Sequence, residues 1–359
     1  MQKQNGQSGR RAEDFDFCAI TAPLTAWFNR VKRDLPWREN PTPYRVWVSE
    51  IMLQQTRVEA AKDYYLRFLN ALPAVEDLAA CDEETLMKLW EGLGYYSRAR
   101  NLHKTAKIVC EEYGGAFPSD EKSLRALPGI GDYTVGAIRS IAFGLPSPAV
   151  DGNVLRVCSR LSADATEISD ENFKARLKAL LAPAYPETAK GCSDFTQALM
   201  ELGACVCVPN GAPRCAACPL RECCRAEKSG TWDVLPVKEA KKPRREEEKT
   251  VFFLSCGTQY AVRKRPQTGL LAGLWELPNV EGILDAPQAL DFLEAQGLQP
   301  EELLKTLERT HIFTHVAWHM RCYYVRAAAC AGAWTWVDGA RFAQDIALPT
   351  AFRMFWQTE

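Results

Sequence analysis

The sequence predicts two domains, an all-α domain followed by an α+β domain. Its 359 residues exceed what one ordinary hydrophobic core holds. From about Phe15 to Arg225, apolar residues recur at helical spacing between Pro and Gly stops. After residue 250, the strand-like segments VFFLSC and YAVRKR are followed by a helical segment, ALDFLEAQGL. The chain therefore divides near the polar stretch that separates these two patterns.

Domain boundaries follow from the same patterns. The first residues are polar and contain no apolar segment, which favours disorder. The stretch before residue 250 mixes Pro, Gly and dense opposite charges, as exposed linkers do. We expect a disordered tail over 1–14, the all-α domain over 15–228, a linker over 229–250 and the α+β domain over 251–359.

Charge and hydropathy restrict the partners of the protein. The formal net charge is -1, so a nucleic acid would have to bind at a local basic face. No run is apolar enough to cross a bilayer, and no export signal is present. We therefore expect a cytoplasmic monomer that does not associate with membranes.

A turn with two glycines lies between two helical patterns in LPGIGDYTVGA, residues 127–137. Gly129 and Gly131 stand where the backbone must bend sharply or approach another group closely. The turn leads into the helical segment TVGAIRSIAFG, and free N–H groups at a helix N-terminus bind anions. A DNA phosphate is one candidate anion, and an ordinary tight turn between packed helices is the alternative.

Cysteine usage indicates a metal site. A chain without an export signal keeps its thiols reduced, and six of the fourteen cysteines lie between Cys205 and Cys224. A zinc site usually shows two C-x2-C pairs, whereas here one such pair is flanked by wider gaps, which favours an iron–sulfur cluster. The other cysteines stand singly, and we expect small buried hydrophobes at Cys18, Cys81, Cys110, Cys158, Cys192, Cys256, Cys322 and Cys330.

Two acids stand in contexts that suit acid–base chemistry. Asp151 directly precedes a helical segment, so it could cap that helix or serve a site. Glu50 lies in the apolar stretch WVSEIMLQQT, near an expected helix start that Ser49 would cap. Cleavage of a glycosidic bond requires such a pair, because one acid protonates the leaving group while the other stabilises the cation or attacks it.

Several motifs occur in order along nearly the whole chain: LPWR at 35–38, SEIMLQQT at 49–56, LWEGLGYYSRARNL at 89–102, LPGIGDYTVGAI at 127–138, VDGNV at 150–154 and the cysteine loop at 207–224. Together they resemble the MutY family of adenine DNA glycosylases. The resemblance implies an all-α helix-hairpin-helix glycosylase domain with a [4Fe-4S] loop, followed by an α+β Nudix-like domain. It places the hairpin at about 120–140. The expected substrate is double-stranded DNA in which adenine is mispaired with 8-oxoguanine or guanine.

The resemblance also implies roles for the residues around the two acids. Glu50 would be the general acid at adenine N7, and Asp151 would stabilise the oxocarbenium ion or form a covalent intermediate. Asn153 would orient Asp151, and Tyr133 would complete the pocket.

Further residues would bind the DNA. Trp37, Arg38 and Gln197 would line the adenine site, where stacking and hydrogen bonds hold a flipped base. Gln55 and Tyr95 would enter the duplex. In the hairpin, Gly129 and Gly131 would hold a phosphate.

The family's cysteine loop usually has six residues in its first gap, and this chain has seven. Cys205 and Cys223 therefore stay open as alternative ligands. The resemblance assigns the cluster to Cys207, Cys215, Cys218 and Cys224.

The C-terminal domain resembles a Nudix fold without its hydrolase site. The segment after GLLAGLWELP lacks the RE-x-x-EE cluster that would bind magnesium. Where the family usually has Phe-Ser-His to sense the oxidised base, this chain has Phe313, Thr314 and His315. A threonine hydroxyl can donate the same hydrogen bond.

Two other functions remain open from the sequence. An endonuclease III-type glycosylase with lyase activity on oxidised pyrimidines would carry a lysine where this chain has Tyr133, because the amine forms a Schiff base and a phenol cannot. A non-catalytic sensor of DNA lesions would need neither Glu50 nor Asp151.

Overall fold

The computed structural model of the protein describes residues 11–239 and 243–356. Within this range the chain forms two compact units. The first, here the N-terminal unit, contains residues 11–80 and 101–239, and the second, the C-terminal unit, contains residues 81–100 and 243–356. None of the helices among the described residues has the length and apolarity that a bilayer crossing demands.

The regular elements of the N-terminal unit are helices in its described residues, and the C-terminal unit contains helices as well as strands. In chain order they are α1 (Thr21–Val31), α2 (Pro36–Glu39), α3 (Pro43–Leu53), α4 (Val58–Ala71), α5 (Val75–Ala80), α6 (Glu83–Leu89), α7 (Ser97–Tyr113), α8 (Glu121–Ala126), α9 (Asp132–Ala137), α10 (Gly152–Ser162), α11 (Glu171–Leu181), α12 (Ala189–Cys205), α13 (Arg225–Ser229), α14 (Ala286–Ala295), α15 (Gly339–Gln344) and α16 (Thr350–Trp356).

Helix α10 is the centre of the N-terminal unit. Its residues are buried from Val154 to Ser162, and apolar side chains of α1, α11 and α12 pack in the same core. In α1, Leu24 and Phe28 are one turn apart and supply two of these side chains. A helix that is buried on nearly all sides has its N-terminus held in place, which matters because Asp151 is the N-cap of α10.

Because Gly136 has no side chain, α9 packs directly on the loop that leads to Asp151. A Cβ atom at Gly136 would lie 2.5 Å from the carbonyl oxygen of Pro148 and 2.8 Å from the Cα atom of Ala149. The helix expected after the hairpin is confirmed, since α9 continues into a π-helical turn over Ile138–Ala142. The absence of a side chain therefore sets the distance between this helix and the loop.

The C-terminal unit is a mixed sheet with helices on both faces. Its long central strand alternates sides, so Phe252 packs in a core with α14, whereas Phe253 packs in a second core with α15 and α16. The sheet order is β3-β2-β1-β6-β5, with β4 paired to β1 and β7 paired to β2. The expected α+β fold is confirmed. The strands are β1 (Arg245–Cys256), β2 (Gln259–Lys264), β3 (Trp275–Glu276), β4 (Asn279–Glu281), β5 (Pro300–Ile312), β6 (Val316–Ala327) and β7 (Thr335–Asp338).

The observed boundaries differ from the expected ones in three places. Strand β1 begins at Arg245, inside the expected linker, because it pairs in parallel with β6 from that residue onward. Residues 81–100 belong to the C-terminal unit, where Lys88 donates to the carbonyl oxygen of Ala343 at 2.9 Å. The expected tail is ordered at Ala12, which is fully buried. Residues 1–10, 240–242 and 357–359 of the expected tail, linker and C-terminal domain lie outside the described residues.

The expectation that the single cysteines are buried holds only in part. Cys158, Cys192 and Cys322 are buried, but Cys18 and Cys330 are exposed. Apolar packing explains the three buried cysteines. It does not explain the two exposed ones.

We expect Gly136→Ala to destabilise the N-terminal unit. The added methyl group has no room against Pro148 and Ala149, so the free energy of unfolding should fall by about 1–3 kcal/mol in a urea titration. Gly152→Ala is the matched control, because a Cβ atom there meets nothing within 4 Å. Equal midpoints for the two variants would contradict the prediction.

Candidate active site

Glu50 lies in the last turns of α3, and its expected place near a helix start is wrong. The helix begins earlier because Pro43 occupies its first turn and the hydroxyl of Thr42 accepts the Arg45 N–H at its N-terminus. The hydroxyl of Ser49 instead donates to the carbonyl oxygen of Val46 at 2.8 Å. The position of Glu50 therefore owes nothing to capping.

The carboxyl group of Glu50 is buried and keeps its proton to near neutral pH. Only 6% of the residue is exposed, and Tyr133 donates its hydroxyl to one carboxylate oxygen. Burial raises the pKa of Glu50 to about 7, with a smaller contribution from Asp151, while Tyr133 and Arg38 act in the opposite direction. Glu50 can therefore give up a proton at physiological pH.

Asp151 caps α10, as one interpretation of the sequence expected, and it also lines the same cavity as Glu50. Its carboxylate accepts the Val154 N–H at 2.8 Å and the Asn153 side-chain amide at 2.7 Å. Burial raises the pKa of Asp151, and these two hydrogen bonds counteract the increase. Asp151 thus accepts a backbone N–H and a side-chain amide, whereas Glu50 accepts the Tyr133 hydroxyl.

A chain of hydrogen bonds connects Asp151 to the cysteine loop. The Arg156 guanidinium donates to the Asn153 side-chain oxygen at 2.8 Å and to the carbonyl oxygen of Cys207 at 2.7 Å. It also donates to the carbonyl oxygen of Gly203 at 2.8 Å. Asn153, which holds Asp151, is therefore itself held by Arg156.

The expected catalytic residues of the N-terminal unit line one cavity of about 560 Å³. Its volume lies in the range of small-molecule sites, and apolar side chains such as Leu35, Ile141 and Met200 form part of its wall. The expected site residues that line it are Trp37, Arg38, Glu50, Gln55, Tyr133, Asp151, Asn153 and Gln197.

Glu201 belongs to this cavity and was not predicted from the sequence. Burial by itself raises its pKa, but hydrogen bonds from Arg33 and Arg38 outweigh burial and lower the pKa to about 2. Arg38 also donates to the side-chain oxygen of Gln197 at 2.9 Å. The permanently ionised Glu201 therefore fixes Arg38, and Arg38 fixes the direction of the Gln197 amide.

The expected DNA-contacting residues of the C-terminal unit lie around a second cavity, of about 530 Å³. Phe313, Thr314 and His315 form the turn between β5 and β6, closed by a 2.8 Å bond from the Phe313 N–H to the carbonyl oxygen of Val316. The hydroxyl groups of Thr314 and Tyr95 are hydrogen-bonded to each other. The structure thus brings Tyr95 to the turn that carries the Phe-Thr-His sequence.

Gln55 and Tyr95 share an unusual backbone conformation. Their φ angles are 61° and 48°, in the left-handed region that residues other than glycine rarely adopt. Tyr95 is also 46% exposed, which is high for an aromatic residue. Strain of this kind is common at functional sites.

Four cysteines line one small cavity, and they are the four that the resemblance selects. The two alternatives bond elsewhere, since the thiol of Cys205 lies 3.8 Å from a Glu201 oxygen and that of Cys223 lies 3.2 Å from the carbonyl oxygen of Leu220. In the described part of the chain, no three Cys, His, Asp or Glu side chains converge closely enough to share a single metal ion. The cavity is lined by Cys207, Cys215, Cys218 and Cys224.

A buried guanidinium lies beside one of the four sulfur atoms. The Arg160 guanidinium, which is buried, donates to the sulfur atom of Cys207 at 3.3 Å. Four cysteine sulfur atoms around one cavity are the donor set that an iron–sulfur cluster takes. The four side chains therefore fit a group held by several thiolates at once.

The glycine turn connects α8 to α9, as expected for a helical hairpin. Gly129 has a φ of 76°, and a Cβ atom there would lie 2.8 Å from the Asn101 side chain. Gly131 caps α9 and faces open space. Among the described residues, no hydrogen bond occupies the Gly131 N–H, so it can receive an anion.

Comparison with known proteins agrees with this geometry. Residues 48–183 match the HhH-GPD superfamily of base excision DNA repair proteins, and residues 250–358 match the NUDIX domain. A solved structure of a thermostable thymine-DNA glycosylase is 27% identical with a TM-score of 0.53, covering 61% of this chain and 100% of that chain.

Curated relatives cover more of the chain. The adenine DNA glycosylase of Mus musculus is 36% identical over 95% of this chain and 78% of its own length. That of Buchnera aphidicola subsp. Schizaphis graminum is 32% identical over 80% of this chain and 82% of its own length. With both domains matched and relatives of this extent, the chain belongs to the adenine DNA glycosylase family, enzymes of base excision repair that act on DNA.

Proposed function

We propose that the enzyme removes adenine mispaired with 8-oxoguanine or guanine by hydrolysing the N-glycosidic bond. The observation that carries this proposal is the pair of buried carboxyl groups, Glu50 and Asp151, which face one cavity with different hydrogen-bond partners. Glycoside hydrolysis assigns such a pair two separate tasks. A cavity of about 560 Å³ also has room for a base flipped out of the duplex.

Glu50 starts the reaction as an acid. Its proton passes to N7 of adenine, the bond between the base and C1′ breaks, and the bonding electrons leave with the base. The carboxylate of Asp151 stabilises the resulting oxocarbenium ion or bonds to C1′. Glu50, now ionised, takes a proton from the water that attacks C1′ and so returns to its starting state.

Other side chains bind and select the base. Trp37 offers a stacking surface, and the Arg38–Gln197 pair presents a fixed set of hydrogen-bonding groups. We assign Gln55 and Tyr95 to the duplex around the flipped nucleotide. Recognition of the opposite base falls to Phe313, Thr314 and His315, and phosphate binding to Gly129 and Gly131.

Tyr133 argues for hydrolysis without strand cleavage. Its phenol cannot form a Schiff base with C1′, and no lysine lines the described cavity to replace it. The product would be an abasic site in an otherwise intact strand.

Cys207, Cys215, Cys218 and Cys224 would hold a [4Fe-4S] cluster, with Arg160 donating a hydrogen bond to the sulfur atom of Cys207. When bound, the cluster supplies four metal–thiolate bonds that hold this loop together. Arg156 then connects the loop to Asn153 and Asp151.

The direct test is base release from a duplex that contains adenine opposite 8-oxoguanine. We expect free adenine and a strand that breaks only after alkali. Glu50→Gln should still bind the duplex but lose at least ~100-fold in single-turnover rate, because its amide cannot donate the catalytic proton. Glu171→Gln, on an exposed side chain of α11, should be unaffected.

Full activity of Glu50→Gln would remove the general-acid role. Spontaneous nicking together with borohydride trapping would instead indicate a lyase.

The pH dependence of the rate should follow Glu50. Only its protonated form is the acid, and its pKa is about 7, so the single-turnover rate should fall as the pH rises above that value. Tyr133→Phe removes a hydrogen bond that lowers this pKa. The falling limb should therefore move to higher pH in the variant, and a shift to lower pH would contradict the assignment.

Arg156→Met should lower the rate of base release, although Arg156 is assigned no contact with the adenine. Loss of the bonds to Asn153 and Cys207 frees both residues, and we expect a roughly 10- to 100-fold lower rate, as for other supporting contacts at metal sites. Iron per chain should fall as well, measured on the purified protein. Arg67→Met, whose guanidinium packs on Tyr64, is the control. An unchanged rate and iron content in Arg156→Met would show that the chain of hydrogen bonds has no role.

A further inference from the structure

Two cysteines of the C-terminal unit lie side by side although the sequence separates them widely. Cys256 ends β1 and pairs with Gln259 across the β1–β2 hairpin. Cys330, in the loop between β6 and β7, donates its thiol to the Gln259 side-chain oxygen at 2.9 Å. Both thiols therefore lie at the same end of the β1–β2 hairpin, and Cys256 is near enough to raise the pKa of Cys330. Both thiols are free, so they form an adjacent, unbonded pair.

The fold holds the pair in place from both sides. Strand β7, which follows the loop, pairs with β2 and so returns to the hairpin that carries Cys256. The Trp336 indole donates to the carbonyl oxygen of Ala331 at 3.1 Å, which fixes the loop one residue after Cys330. The proximity of the two thiols therefore results from the sheet and not from a chance position of a free loop.

The two thiols differ in access. Cys330 is exposed, whereas Cys256 is half-buried. Burial, together with the neighbouring Cys256, raises the pKa of Cys330 above its usual value. Thiol–disulfide exchange proceeds through the thiolate, so this raised pKa makes exchange slow at neutral pH and faster at alkaline pH. Its exposure makes Cys330 the thiol that a small disulfide in solution reaches first.

We propose that Cys256 and Cys330 form a reversible dithiol–disulfide site that exchanges with low-molecular-mass disulfides. The Cys330 thiolate attacks one sulfur atom of the small disulfide, whose S–S bond breaks and releases a first thiol that takes up the proton from Cys330. Cys256 then attacks the Cys330 sulfur of this mixed disulfide and expels a second thiol. Two electrons and two protons pass from the cysteine pair to the small disulfide, which is reduced to two thiols.

Oxidation would join the β6–β7 loop covalently to the β1–β2 hairpin. The closed loop contains most of the C-terminal sheet, so the cross-link restricts the unfolded chain and should raise the melting temperature of this unit. This site is independent of base excision, since neither cysteine belongs to the catalytic cavity.

The test follows each thiol separately. Trypsin would release Cys256 in residues 250–263 and Cys330 in residues 327–341, and each peptide contains one cysteine. The full chain is equilibrated with increasing ratios of oxidised to reduced glutathione, quenched, alkylated, digested and analysed by mass spectrometry. We expect a disulfide that joins these two peptides, is reversed by dithiothreitol and is replaced by mixed pairings when the protein is oxidised in urea.

Single substitutions separate the role of Cys330, which attacks the small disulfide, from that of Cys256, which attacks the mixed disulfide. In Cys256→Ser the exchange should stop at a glutathione adduct on Cys330, because the second attack has no thiol. In Cys330→Ser the half-buried Cys256 should remain free and be alkylated on quenching in denaturant. Cys18→Ser, which removes an exposed single thiol of the N-terminal unit, should keep the cross-link. Recovery of both wild-type peptides in the alkylated form under oxidising conditions, or of Cys330 joined to another cysteine, would overturn the proposal.

Discussion

Hydrogen bonds at the N-terminus of α10 hold the carboxylate of Asp151 where burial alone would favour its neutral form. The Val154 N–H and the Asn153 amide both point at it, and Arg156 holds Asn153 in turn. Because α10 is enclosed by the core, these donors cannot drift from the cavity. A rigid helix end therefore gives Asp151 two donors that oppose the effect of burial on its pKa, whereas at Glu50 burial raises the pKa to about 7.

The local parts of this site could be predicted from the sequence. An acid directly before a helical segment suggested the cap at Asp151, and the glycine turn suggested the hairpin. Glu50 was assigned to a helix start because the stronger cap, Thr42 followed by Pro43, lies outside the motif that contains it. Local patterns thus predicted the cap at Asp151 but misplaced Glu50 within its helix.

Contacts between distant segments could not be predicted in this way. Glu201 is an ordinary acid in a helical stretch until Arg33 and Arg38, 168 and 163 residues away, fold against it. The charged start of β1 resembled a linker because glutamates are poor strand formers. Its pairing with β6 overrides that preference, and Trp318 donates to Glu247 at 2.7 Å. The neighbourhood of Cys256 and Cys330 depends in the same way on the order of strands in the sheet.

If Gln55 and Tyr95 contact the duplex as proposed, their left-handed backbone has a consequence for binding. Each such residue costs roughly 1–3 kcal/mol, and that cost is met when the chain folds, before any duplex arrives. The backbone of both residues is thus already in place in the free protein, and binding does not have to meet this cost again. On that assignment the strain lowers the stability of the fold and leaves the affinity for DNA undiminished.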